Sequence, residues 1–69
     1  MGAIKVVTNV LNVRSGPSTL MPVEFQVEKN EEFYFKQKQT LGGNIWYEIG
    51  PDKWACGKYN GSVLAIETE

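Results

Sequence analysis

The sequence predicts an all-β domain, and three observations carry that prediction. Turn-forming residues recur along the whole chain, at Asn9, Ser15-Gly16-Pro17-Ser18, Lys29-Asn30, Leu41-Gly42-Gly43-Asn44, Gly50-Pro51-Asp52 and Tyr59-Asn60-Gly61. The stretches between them are strand length, roughly five to eight residues, and too short for ordinary helices. β-Branched and aromatic residues crowd into those stretches, where a pleated, half-buried surface suits them.

Alternation along each stretch assigns its faces. Ile4 and Val6 supply the first inward pair. Leu11 and Val13 then point inward, alternating with Asn12 and Arg14. Val23 is expected to join the interior, and a strand over Glu32–Gln39 sets Phe33 and Phe35 against Tyr34, Lys36 and Lys38. In Ile45–Ile49, Tyr47 and Ile49 lie opposite Trp46 and Glu48, and Val63 and Ala65 close the apolar set. Strands this short escape exposed edges best by curling into a small barrel of about five to seven antiparallel strands.

The 69 residues make one domain over 1–69, with no internal repeat or linker and no room for a second core. Hydrophobic residues at 42% exceed what a disordered tail carries. Seven Lys and Arg against eight Asp and Glu leave a net charge of −1, without the basic excess of a nucleic-acid binder. No apolar run approaches the roughly 20 residues of a membrane-spanning helix. The opening Met1-Gly2-Ala3-Ile4-Lys5 lacks a signal-peptide layout, so the expectation is cytoplasmic synthesis, with export or release by other means.

Catalytic constellations are missing. The chain has no His, the commonest general base and the usual partner of a Ser or Cys nucleophile. Cys56 is the sole Cys and forms no internal disulfide; beside Gly57 and Lys58, a modestly lowered pKa is the expectation for it. Glu31-Glu32 and Glu67-Glu69 read as surface charge rather than metal ligands. The sequence therefore predicts no enzyme, no cofactor and no metal.

The run Leu11-Asn12-Val13-Arg14-Ser15-Gly16-Pro17-Ser18 reads as a strand end entering a tight loop. Gly16 is expected to take a conformation other residues resist, and Pro17 fixes the next φ. Asn12 and Ser15 can bond loop backbone, and Arg14 offers five donors. These eight residues resemble the opening signature of the bacterial Src-homology-3-like (SH3b) domains of cell-wall hydrolases and phage endolysins. The resemblance extends from about Val6 to Leu64. Trp46-Tyr47-Glu48-Ile49 looks like that family's Trp-Tyr-Lys-Val strand, and Trp54-Ala55-Cys56-Gly57-Lys58-Tyr59 looks like its Gly-Trp-Val-Ser-Ser-Lys-Tyr ending. Departures occur at Asn30, which stands for a turn glycine, at Phe25, which stands for a small residue, and at Lys53, which stands for glycine.

The resemblance implies a non-catalytic module that binds peptidoglycan or another wall polymer and concentrates an attached hydrolase, with a phage endolysin against a Gram-positive host as the expected setting. Such a surface needs aromatic faces with a few convergent polar groups. Trp46 is the expected exposed platform, with Tyr34, Tyr59 and Trp54 as further rings and Asn12, Arg14, Glu48 and Lys58 as polar contacts. Each ring also has a structural reading, in which it fills or caps the barrel, and Arg14 and Asn12 have one as loop braces. The rival function is an intracellular peptide-binding SH3-like interaction or assembly module. Leu20, Met21 and Phe25 form an expected apolar patch that leaves room for a homo-oligomer.

Overall fold

A computed structural model describes residues 2–69; Met1 lies outside the described residues. Among these, nine strands form: β1 (Gly2–Val6), β2 (Val10–Arg14), β3 (Val23–Glu28), β4 (Glu32–Phe35), β5 (Gln37–Leu41), β6 (Asn44–Gly50), β7 (Lys53–Tyr59), β8 (Ser62–Val63) and β9 (Ala65–Glu67). The fold is all-β, in two antiparallel sheets. One has the order β4-β1-β9, the other β3-β2-β7-β6-β5, with β8 paired to β7. The two sheets make a near-isometric molecule with extents of 26 × 25 × 24 Å. The architecture is barrel-like, but the hydrogen-bonded ladder does not close on itself.

The strand expected over Glu32–Gln39 is two strands. β4 pairs with β1 and β5 pairs with β6, and the chain changes sheets at Lys36. The Lys36 N–H donates to the Glu48 carbonyl at 2.8 Å, which anchors the corner on the second sheet. This break, together with the short β8 and β9, raises the strand count above that read from the turns.

The interior follows the alternation rule closely. Ile4, Val6, Leu11, Val13, Val27, Tyr47, Ala55 and Ala65 form the main core, and Phe33, Phe35, Ile45, Ile49 and Leu64 pack against it. Fully burying an aliphatic side chain stabilises by about 1.5–3 kcal/mol, and Ile4, Val6 and Val13 are completely enclosed. Val23 and Val63, expected inside, are exposed. Val23 begins an edge strand, and Val63 belongs to a two-residue strand hung on β7, so neither has a layer above it.

Close approach requires glycine at Gly2, where a Cβ would sit 2.3 Å from Cζ of Phe35, and at Gly57. A Cβ on Gly57 would sit 2.2 Å from Cε2 of Tyr47, so that ring lies directly over the β7 backbone. Gly16, expected to need an unusual φ, does not adopt a positive one. It is buried, and a Cβ there would meet Cγ of Met21 at 3.0 Å. The left-handed positions include Asn30 (φ 77°), standing where the resemblance has glycine, and Asn60 (φ 49°) followed by Gly61 (φ 84°) in the β7–β8 hairpin. Asn tolerates this region better than other side chains, and successive positive φ values match the twist of a two-residue hairpin.

Candidate functional site

The β6–β7 ladder has an apolar second face. Tyr47, Ala55 and Gly57 turn to the main core. Trp46, Trp54 and Cys56 turn the other way and form a second buried cluster, with Tyr59 and Leu64 packed against it. Trp46 and Cys56 are direct register partners, and Trp54 lies two residues before Cys56 on the same face. The alternation assigned Trp46 to the correct face, but the expectation that this face is open fails. Trp46 is 3% exposed and Trp54 is also buried. Tyr59, at the end of β7, and Leu64, between β8 and β9, pack against this face.

Above this cluster lies a hollow of about 220 Å³. Leu11, Asn12 and Arg14 reach it from β2, Trp46 from β6, Cys56 and Tyr59 from β7, and Thr19 and Leu64 from connecting segments. Four of the eight sequence-nominated residues meet there: Asn12, Arg14, Trp46 and Tyr59. Trp46 contributes an edge of the wall rather than a free-standing platform.

The loop that borders the hollow is tied down by Arg14. Its Nη1 donates to the carbonyls of Thr19 at 3.1 Å and Met21 at 3.0 Å. The Ser15 N–H donates to the Pro22 carbonyl, and the Leu20 N–H donates to Oγ of Ser18. Asn12 does not bond loop backbone as expected. Its Oδ1 accepts from Nε2 of Gln26 at 2.8 Å, across the β2–β3 pair where the two residues are register partners.

The remaining nominated residues lie elsewhere. Tyr34 is 65% exposed on the three-stranded sheet, beside a separate hollow of about 130 Å³ that it shares with Ala3, Glu32, Phe33 and Glu69. Glu48 accepts from Nε2 of Gln37 at 2.9 Å. Lys58 gives its carbonyl to the thiol of Cys56 at 3.2 Å. Neither Glu48 nor Lys58 lines the larger hollow, and Trp54 supports it from beneath.

Cys56 lines the hollow without having been nominated. Its thiol pKa is raised, not lowered as expected: burial dominates, against a smaller lowering by the Lys58 carbonyl contact and the Arg14 charge. Its place on the Trp54 face was available from the two-residue spacing. Leu64 and Thr19 carried no comparable signal, since both belong to irregular segments. Among the described residues no group of three or more His, Cys, Asp or Glu side chains gathers.

No family model, curated protein or solved structure matches this chain.

Proposed function

We propose that this domain is a non-catalytic bacterial SH3-like module that binds peptidoglycan or a related wall polymer and holds an attached hydrolase on it. The hollow over Trp46 carries the reading. It joins two aromatic rings, an asparagine and an arginine from three strands that the sequence signature and its aromatic landmarks had nominated. A concave apolar wall with a few fixed polar groups suits a flexible polymer segment, which must be held by shape and a small number of hydrogen bonds.

In this reading the domain acts on the extracellular side of the cell wall, and the phage endolysin setting belongs to the same proposal. Binding is shallow and reversible, and the domain alone leaves walls intact. The direct test is sedimentation of the tagged domain with purified Gram-positive sacculi of differing cross-bridge. Co-sedimentation without release of soluble wall fragments supports the reading, and absence of binding across the whole set overturns it.

A second reading, a peptide-binding interaction or assembly module inside the cell, draws on one observation. Leu20, Met21 and Phe25 are all exposed apolar side chains, with Leu20 92% exposed. Capture of a cytosolic protein partner that sacculi do not displace would favour it.

A further inference from the structure

We propose that the hollow receives the free carboxylate end of a short peptide, with the guanidinium of Arg14 holding the carboxylate; this deepens the wall-binding reading and rests on it. Arg14 is the one charged residue lining the hollow. Both hydrogens of Nη1 are directed at the loop carbonyls of Thr19 and Met21, which fixes the plane of the group. Of its five donors, those on Nη2 and Nε have no protein acceptor among the described residues. The ion pairs among those residues are Lys38–Glu67 and Lys53–Glu24, so no carboxylate among the described residues is ion-paired with Arg14. A guanidinium held in one orientation with its donors free matches the two oxygens of a carboxylate, and little side-chain freedom is left to lose on binding.

The rest of the lining selects the kind of molecule. Arg14 and Cys56 line the same hollow, from β2 and β7. Trp46 and Leu64 offer apolar surface, and Asn12 already uses its carbonyl oxygen on Gln26. Besides Arg14, the polar groups of the lining are the Asn12 amide and the Thr19 and Tyr59 hydroxyls, all neutral, so the one cation favours an anionic chain end over a neutral sugar. A peptide end with small aliphatic side chains brings only its terminal carboxylate and one or two amides. At about 220 Å³ the hollow is smaller than the roughly 300–1,000 Å³ of sites that enclose a drug-sized ligand, which fits a chain end.

The test compares N-acetyl-alanyl-alanine as the free acid and as the C-terminal amide, in both configurations, by tryptophan fluorescence and by chemical-shift changes of the backbone amides around the hollow. The free acid is expected to bind at least about tenfold more tightly than the amide, as one charge-assisted pair predicts, and to shift the amides of Arg14, Cys56 and Tyr59. Equal binding of acid and amide overturns the proposal, as does acid binding that leaves those amides unshifted. Because the comparison uses the unaltered chain, it does not depend on whether Arg14→Gln loosens the loop. Sacculus binding that saturating acid fails to displace leaves the wall reading standing and removes this one. Acid-selective binding in a chain that ignores sacculi does the reverse.

Discussion

The phenol of Tyr47 donates to Oε2 of Glu67 at 2.9 Å, joining the buried centre of β6 to the last strand of the chain. The same carboxylate oxygen receives Nζ of Lys38 at 2.6 Å. The Tyr47 ring packs against Phe35 with centroids 4.8 Å apart and planes tilted by 57°, and Gly57 leaves room for it on β7. One side chain thus links both sheets, the corner strand and the C-terminal strand, and its ionisation is coupled to the fold.

Alkaline stability should report Tyr47. Burial, then the hydrogen bond and charge of Glu67, raise its pKa from 10.0 to about 12. A raised acid favours the protonated fold, so its contribution is complete below pH 10 and is lost as pH rises toward about 12. The difference between phenol titrations of the wild type and Tyr47→Phe should show a group ionising near that upper value. A difference centred on the ordinary tyrosine value would contradict the contact.

Acid stability should report Glu67. Its pKa is lowered, chiefly by Lys38 and then by Tyr47. The contribution is therefore present above the ordinary carboxylate value and is lost as pH falls through the lower folded value. Lys38 and Glu67 are partly exposed, so solvent screening holds the ion pair to at most about 1 kcal/mol. Glu67→Gln should flatten the acid limb of urea midpoints measured against pH; an unchanged limb would show that the carboxylate is not engaged.

Gly57→Ala should destabilise more than its size suggests. The new methyl must displace the Tyr47 ring from the core, and overpacking of this kind costs about 1–3 kcal/mol. Urea unfolding checks this, and a loss below a few tenths of a kcal/mol would mean that the ring moves freely.

Wall binding should depend on Tyr59 and not on Tyr34. Tyr59→Ala removes a half-buried ring from the hollow, while Tyr34→Ala alters the other sheet. Sedimentation with sacculi should fall several-fold for the first, on the order of 1 kcal/mol as for a stacked ring, and stay unchanged for the second. Trp46→Ala is a poor probe, because emptying a buried Trp costs about 3–5 kcal/mol, and a loss of binding would not separate contact from stability.

Cys56 should react slowly with alkylating reagents in the native state. Its thiol is enclosed and its pKa raised, and the thiolate is the reactive form. The rate should rise steeply across the urea transition. Native and unfolded chains reacting at the same rate would show that the thiol is open to solvent.

The sequence by itself determined the all-β class, the turns and most of the inward residues. Ile4, Val6, Leu11, Val13 and Tyr47 could be placed because alternation is a local property of an extended chain. Asn60-Gly61 could be read as a hairpin because two successive positive φ values suit those residues. Tertiary structure decided what covers each face. Alternation says that Trp46 opposes Tyr47, but only the tertiary path brings Tyr59 at the end of β7 and Leu64 beyond β8 against it and makes a second buried cluster. The same holds at the edges, where Val23 and Val63 have the right character for a core but no layer to meet. The hollow joins Asn12, Arg14, Trp46 and Tyr59 across β2, β6 and β7. Their convergence depends on strand order and curvature, which no residue spacing encodes.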